Sequence, residues 1–211
     1  MTWLDLFTLG AYLSLVAELL FLPVPSVASS YQLARGEPGY ASDDRESREH
    51  GAHTARWLRY FGPAALNVAV FLLPLVSIVI APDISLWKRM DLSPPSILVV
   101  VGCLAVVGGR ALTIAAALDM RRLQNHALLR GGLDQPLQTK GLFKRSRNPG
   151  LCGMYLFAGG LLLLYPNELY IMGLVHYLWH MHQRVRIEET VLQRQFSDSY
   201  RAYCANTPRY L

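Results

Sequence analysis

Long runs of apolar residues with almost no charge constrain this chain more than any other feature. Residues 61–81 contain no charged side chain, whereas residues 6–27 contain only Glu18 and residues 96–118 contain only Arg110. About 20 consecutive apolar residues are enough for a helix to cross the hydrocarbon core of a bilayer. Because a helix satisfies its own backbone hydrogen bonds in lipid, the three runs predict three membrane helices.

Two shorter apolar runs follow, at residues 151–165 and 169–181, with the turn sequence Pro166-Asn167-Glu168 between them. They predict a helical hairpin whose two ends lie on the same side of the membrane. The expected fold is therefore all-α: a polytopic membrane helix bundle of about five transmembrane helices. A C-terminal amphipathic cytoplasmic helix is expected to follow the bundle.

The basic residues predict an orientation. Of the 20 lysine and arginine residues, only Lys88 and Arg89 lie between the second and third runs, and Arg110 lies inside a run. The other 17 fall in residues 28–60, in residues 119–148 and after the hairpin. The positive-inside rule then places the N-terminus outside and the C-terminus in the cytoplasm, as in a bacterial inner membrane protein. Attraction to anionic membrane lipids accounts for the net charge of +5, so no nucleic-acid partner is predicted.

The segment Arg147-Asn148-Pro149, at the start of the hairpin, is the first candidate site. Proline suits the first turn of a helix, and the Asn148 side chain is expected to cap that turn. Free backbone amides at a helix start favour a carboxylate or phosphate ligand. The alternative is a capped helix start whose basic residues contact lipid headgroups.

The adjacent pair Glu188-Glu189 is the second candidate. An apolar helix face follows it, formed by Leu192, Phe196, Tyr200 and Tyr203 at intervals of four, four and three residues. At least one of the two carboxylates is therefore expected to point toward that face. A carboxylate in such a place needs a cation, which is either Arg184 or Arg186, or the ammonium or sulfonium of a ligand.

Arg110 is a charge inside an apolar run and therefore a candidate functional residue. Two structural alternatives stay open, namely pairing with Glu18 or reaching toward the membrane face. Gly108-Gly109 beside it predicts close approach of another helix.

Histidine and cysteine residues do not predict a metal site. His176 and His180 are four residues apart on one helix face, but no nearby cysteine or acid completes a ligand set. His182 points elsewhere. The three cysteines are too few and too scattered for a disulfide framework.

Taken together, the C-terminal residues resemble the isoprenylcysteine carboxyl methyltransferase and phospholipid methyltransferase superfamily of integral membrane enzymes. That family shows an R-H-P-x-Y-x-G stretch, an apolar hairpin, an E-E pair, and then L, F-G, Y, Y and P-R at fixed spacings. Here residues 147–153 read RNPGLCG, and the residues after Glu188-Glu189 keep the family spacing: Leu192, Phe196-Ser197, Tyr200, Tyr203 and Pro208-Arg209. Asn148 replaces the family histidine, Leu151 the tyrosine and Ser197 the glycine.

The resemblance implies methyl transfer from S-adenosylmethionine to a lipophilic or membrane-embedded acceptor at the cytoplasmic face. It implies that residues 137–211 bind the cofactor and that residues 1–136 select the substrate. The cofactor-binding residues would be Arg147, Asn148, Pro149, Gly153, Glu188, Glu189 and Tyr200, and the catalytic residues Arg184, Arg186, Glu189 and Arg209. Glu188 or Glu189 is expected to hold the amino group of the methionine moiety, and one of the three arginines to orient a carboxylate.

Two other functions stay open at this stage. A membrane sterol-type or enone reductase would use a nicotinamide cofactor in a similar place, and a membrane scaffold would keep the fold without turnover. The methyl acceptor is equally open: prenylcysteine-like carboxylates, phospholipid amines, thiols and isoprenoid lipids all fit the sequence.

Overall fold

The computed structural model describes residues 3–21, 96–129, 137–166 and 168–211. Every regular element within these ranges is helical, which confirms the predicted all-α class for this part of the chain. The elements are α1 (Trp3–Phe21), α2 (Ser96–Leu129), a short 3-10 helix (Gly141–Lys144), α3 (Pro149–Leu164) and α4 (Glu168–Asn206).

Within the described ranges, one helix is long and apolar enough to cross a membrane, namely residues Ser96–Leu123 of α2, and α3 is a shorter apolar helix. Large apolar side chains of α2 are exposed, including Ile97, Leu104 and Val107. The predicted span at residues 61–81 and the loop at residues 28–60 lie outside the described residues. The five-helix bundle and its orientation therefore stay predictions.

Helices α2 and α3 pack with their backbones in contact, and glycines make this possible. A β-carbon placed on Gly109 would lie 2.5 Å from the backbone nitrogen of Phe157. One on Gly153 would lie 2.7 Å from the carbonyl oxygen of Gly109, and one on Gly160 would lie 2.8 Å from that of Gly102. The close approach expected at Gly108-Gly109 is thus confirmed, and small residues at a helix interface have this effect in membrane proteins generally.

A buried ion pair joins α1 to α2. The Arg110 guanidinium lies 2.6 Å from a Glu18 carboxylate oxygen, and its side chain is 6% exposed. Its Nε donates to the Ser14 hydroxyl at 2.9 Å, and its Nη1 donates to the Thr113 hydroxyl at 3.0 Å. Of the interpretations of Arg110, pairing with Glu18 is the one that the structure confirms.

Helices α3 and α4 form the predicted hairpin. The Tyr170 hydroxyl donates to the Ala158 carbonyl at 3.0 Å, and the rings of Tyr155 and Tyr177 meet edge to face. Helix α4 runs from the apolar residues 169–181 into the C-terminal segment and ends at Asn206. Its backbone leaves helical geometry at Ser197, which has φ 44° and ψ −112°.

Candidate functional site

The start of α3 forms one side of the site. Pro149 occupies the first turn and is buried. Asn148 stands at the capping position, but its side chain makes no capping hydrogen bond. Its amide donates instead to the carbonyl oxygen of Arg209 at 3.1 Å. The expectation of an Asn148 side-chain cap is therefore wrong, because a carbonyl from the end of the chain takes the amide.

Residues 207–211, which we call the tail, return to the start of α3. The backbone nitrogen of Arg147 donates to the Pro208 carbonyl at 2.9 Å, and the fully buried Ser146 hydroxyl donates to the Arg209 carbonyl at 3.3 Å. The Tyr210 hydroxyl lies 3.0 Å from His182 Nδ1 on α4. The tail is thus tied to both helices of the hairpin.

Glu189 is the centre of an ion cluster that joins three segments. One of its carboxylate oxygens lies 2.9 Å from Arg147 Nη1 and accepts from Arg209 Nε at 3.0 Å. The other accepts from Arg209 Nη2 at 2.6 Å. The side chains of Arg147 and Glu189 are 14% and 15% exposed, whereas that of Arg209 is 34% exposed. Glu189 points inward, as the helical spacing predicted.

Glu188, the other member of the pair, lies in a different environment. It pairs with Arg184 one turn earlier on α4, at 3.0 Å, and these two side chains are 29% and 41% exposed, against 15% for Glu189. Exposed pairs of this kind contribute about 0.3–0.5 kcal/mol to helix stability. The predicted Arg184 partner is therefore correct for Glu188 but not for Glu189.

An open cavity of about 500 Å³ lies against the Glu189 cluster, between the start of α3, the second half of α4 and the tail. Its lining includes four arginines but, among the described residues, a single carboxylate, that of Glu189. The lining residues are Arg147, Arg186, Glu189, Thr190, Gln193, Arg194, Tyr200, Cys204 and Arg209. Such a cavity presents an excess of positive charge to any ligand that enters.

A tyrosine and a thiol complete this region. Burial is the main reason that the pKa of the Tyr200 hydroxyl is raised, and the neighbouring Cys204 and Glu189 add to the effect. Arg147 also donates to the Cys204 sulfur, through the same Nη1 that contacts Glu189. The hydrogen bond with Glu189 raises the pKa of Arg209 further above its usual range. Tyr200 is therefore neutral and Arg209 charged at any physiological pH.

The cavity brings together five of the residues that the sequence predicted for the site: Arg147, Arg186, Glu189, Tyr200 and Arg209. Asn148 and Pro149 are not lining residues but form the start of α3 beside the cavity. Arg184 and Glu188 are not among the lining residues either. Gly153 packs against α2, which explains why this position holds a glycine. Its predicted cofactor contact stays a prediction.

Sequence reasoning missed Thr190, Gln193, Arg194 and Cys204, which also line the cavity. Thr190 and Gln193 lie four and seven residues after Arg186, and Cys204 lies four after Tyr200. These intervals place Thr190 and Gln193 on the same face of α4 as Arg186, and Cys204 on the same face as Tyr200. Extending the helical spacing from the apolar residues to the polar ones would have found them.

His176 and His180 stack with their ring centres 6.2 Å apart. Among the residues described, no group of three or more His, Cys, Asp or Glu side chains is placed to hold a metal ion. Cys103, Cys152 and Cys204 are free thiols.

A comparison with protein families gives one match. The family model described as phospholipid methyltransferase matches residues 97–199. No curated protein and no solved structure matches the chain. The matched segment contains α3, Arg147 and Glu189, and it ends just before Tyr200.

Proposed function

Because residues 97–199 place this chain in the superfamily of isoprenylcysteine carboxyl and phospholipid methyltransferases, we propose that it transfers a methyl group from S-adenosylmethionine to a lipophilic acceptor at a membrane surface. The observation that carries the proposal is the cavity beside the Glu189 cluster. It lies within and next to the family segment, and it is built from the ends of a helical hairpin that contains an apolar helix. A polar cofactor and a lipid-soluble acceptor would each reach such a place from its own phase.

The cluster leaves Glu189 able to bind one more donor. A carboxylate offers about four lone-pair sites, and the contacts with Arg147 and Arg209 use three of them. The unused site is on the oxygen that accepts from Arg209 Nη2. Because Glu189 lines the cavity and Glu188 does not, we assign the amino group of the cofactor to Glu189.

Arginine would hold the opposite end of the amino-acid moiety. The Nε atom of Arg147 is buried and has no hydrogen-bond partner within the described part of the chain. A buried donor without a partner costs about 1–3 kcal/mol, and a shift of the side chain toward a ligand acceptor in the cavity would recover it. A guanidinium next to the cavity matches the geometry of a carboxylate ligand.

When bound, the cofactor supplies an electrophilic methyl group on a sulfonium. The chain's own contribution would be alignment and charge: Glu189 and Arg147 fix the cofactor, Arg209 and the tail hold Glu189 in place, and Arg186 faces the remaining space. Holding two reactants in line is itself a large part of catalysis for a transfer that needs little bond polarisation.

Substituting each glutamate separately tests the assignment. Glu189→Gln should weaken the binding of S-adenosylmethionine about tenfold, since it removes a charged acceptor. Glu188→Gln is the matched control and should leave that affinity unchanged, since Glu188 pairs with Arg184 away from the cavity lining. Calorimetric titration of the purified full chain in nanodiscs measures both.

Because Glu189→Gln also leaves two arginines unpaired, each variant is first checked for folding by its melting temperature and helical circular dichroism. Tyr200→Phe, which keeps the ring and removes the hydroxyl, is a second cavity variant for the case that Glu189→Gln does not fold. Unchanged affinity in folded Glu189→Gln and Tyr200→Phe proteins would remove the assignment of this cavity.

A second experiment tests the reaction. The protein in native lipid is incubated with methyl-labelled S-adenosylmethionine, and the products are identified by mass spectrometry. A labelled lipophilic product supports the proposal. Binding of a nicotinamide dinucleotide instead would indicate a reductase, and binding of neither cofactor would indicate a scaffold.

A further inference from the structure

We infer that a basic surface beside the end of α2 binds the headgroups of anionic phospholipids. Four residues form this surface, which we call the basic platform: Arg122, Lys140, Lys144 and Arg145. The inference does not depend on the proposed methyl transfer or on the cavity. It assigns to one surface an attraction to lipids that the net charge alone does not locate.

The basic platform lies level with the end of the apolar segment of α2. The part of α2 that is long and apolar enough to cross a membrane ends at Leu123. One helical turn earlier, the Asp119 carboxylate accepts from the backbone nitrogen of Leu142 at 3.0 Å, and the Asp119 carbonyl accepts from the Gln138 side chain at 3.3 Å. A turn of helix rises only about 5 Å. The 3-10 helix is therefore held where the apolar segment ends, which is the depth of lipid headgroups.

Contacts on two sides fix the 3-10 helix in this place. Gly141 has φ 64°, and a β-carbon there would collide with the Asp119 carboxylate, so only glycine allows this approach to α2. On the other side, the Tyr203 hydroxyl of α4 donates to the Phe143 carbonyl. The basic side chains thus stand on a backbone that is tied to both long helices.

The charge of the basic platform is not neutralised within the described part of the chain. Lys140, Lys144 and Arg145 are exposed, and no carboxylate of the described residues pairs with them. Arg122 is 76% exposed and lies 3.9 Å from Asp119, whose carboxylate also accepts from a backbone amide of the 3-10 helix. Such a surface presents free positive charge to its surroundings.

The spacing of these charges lets them act together. At a rise of about 2 Å per residue, the 3-10 helix and its flanking residues 140–145 span about 10 Å. This length is close to the Debye length of about 10 Å at 0.1 M salt. An anion near the platform is therefore attracted by several charges at once.

The position of the platform identifies the partner as a membrane surface. Basic residues next to the end of a membrane helix face the headgroup layer, and each one near an anionic leaflet contributes about fivefold to binding. Lysine suits this task, because its compact ammonium binds phosphate as a point charge without demanding a fixed orientation of the headgroup. Mobile lipid phosphates are the ligands that fit.

Soluble short-chain lipids test the inference. Dihexanoyl phosphatidylglycerol, dihexanoyl phosphatidylcholine and glycerol 3-phosphate are each titrated calorimetrically into the full chain in a nonionic detergent, with protein-free micelles subtracted. Phosphatidylglycerol should bind at least tenfold more tightly than phosphatidylcholine. Glycerol 3-phosphate should bind more weakly than phosphatidylglycerol, because it lacks the acyl chains that keep the headgroup at the end of α2.

Variants locate the site. Lys140→Gln/Lys144→Gln/Arg145→Gln should weaken phosphatidylglycerol about a hundredfold, as three losses of about fivefold each, and leave phosphatidylcholine unchanged. Lys144→Gln alone should cost about fivefold. Arg201→Gln is the matched control, since it also removes one exposed charge but lies on α4 and pairs with Asp198. It should leave phosphatidylglycerol binding unchanged.

Each variant is checked for folding by its melting temperature, and Lys144→Gln serves if the triple variant does not fold. Phosphatidylglycerol binding no tighter than that of phosphatidylcholine would overturn the inference. So would equal losses in Lys144→Gln and Arg201→Gln, which indicate attraction by net charge alone. Glycerol 3-phosphate binding as tight as phosphatidylglycerol would assign a free phosphate in place of a lipid.

Discussion

Ser197 offers a test of the α4 geometry, because its backbone conformation suits glycine better than serine. Its φ of 44° and ψ of −112° lie in a region that L-residues rarely adopt. Such a conformation costs about 1–3 kcal/mol for a residue with a β-carbon. The superfamily pattern has a glycine at this position, which the serine replaces.

Ser197→Gly should therefore stabilise the protein. Removing the backbone strain should stabilise the folded state by about 1–3 kcal/mol. This gain is partly offset because glycine has more conformational freedom in the unfolded chain, which costs roughly 0.5–1 kcal/mol. The Ser197 side chain is exposed. The backbone carbonyl of residue 197, which accepts a hydrogen bond from the Gln193 side chain, is kept in the variant. A net gain of about 1 kcal/mol corresponds to a melting temperature roughly 2–4 °C higher for a chain of this size.

Ser199→Gly is the matched control, since Ser199 is exposed in the same helix and has ordinary helical geometry. At position 199, glycine should reduce the stability of the protein by about 1 kcal/mol and so lower its melting temperature. Thermal unfolding of the three proteins, in one detergent and at one heating rate, gives the comparison. A Ser197→Gly protein that melts at or below the wild-type temperature, or in parallel with Ser199→Gly, would refute the argument from backbone strain.

Two further predictions follow from the contacts of the hairpin and of the C-terminal segment. Gly153→Ala should destabilise the protein by about 1–3 kcal/mol and lower its melting temperature, since the added carbon meets the α2 backbone. Gly159→Ala is the control and should be neutral or stabilising, because a β-carbon there meets nothing within 4 Å. Equal effects of the two substitutions would contradict the packing argument. Burial raises the pKa of Tyr203 to about 12, whereas the pKa of tyrosine in the unfolded chain is about 10. The contribution of the neutral Tyr203 to stability is therefore fully present below about pH 10 and should be lost as the pH rises from 10 to 12. Thermal unfolding measured across this range should show a shallower fall for Tyr203→Phe, and identical slopes would count against the pKa shift.

Local spacing predicted much of the site because its central residues lie on one helix. Intervals of three and four residues placed Glu189 on the inner face of α4 and brought Tyr200 to the same side. Proline at position 149 and the turn at Pro166 fixed the start and the end of α3 closely. These are properties of single helices, which a sequence encodes within a few residues.

The partners of Glu189 could not be predicted in the same way. Arg209 and Arg147 are 20 and 42 residues from it in sequence, and they reach it because the hairpin folds back and the tail returns to the start of α3. Asn148 shows the same limit: its local context indicates a helix cap, but a carbonyl 61 residues away takes its amide. Tertiary partners of this kind depend on the register between segments, which no local pattern contains.

The Arg110–Glu18 pair has a consequence for how the chain is assembled. Glu18 and Arg110 are the single charges of the apolar runs 6–27 and 96–118, and a charged side chain at the centre of a membrane helix adds about 2.5–3.5 kcal/mol to the free energy of insertion. Apart, α1 and α2 would each meet that barrier. Joined at 2.6 Å, the two side chains neutralise each other, so burying the pair in apolar surroundings costs less than burying either charge without its partner.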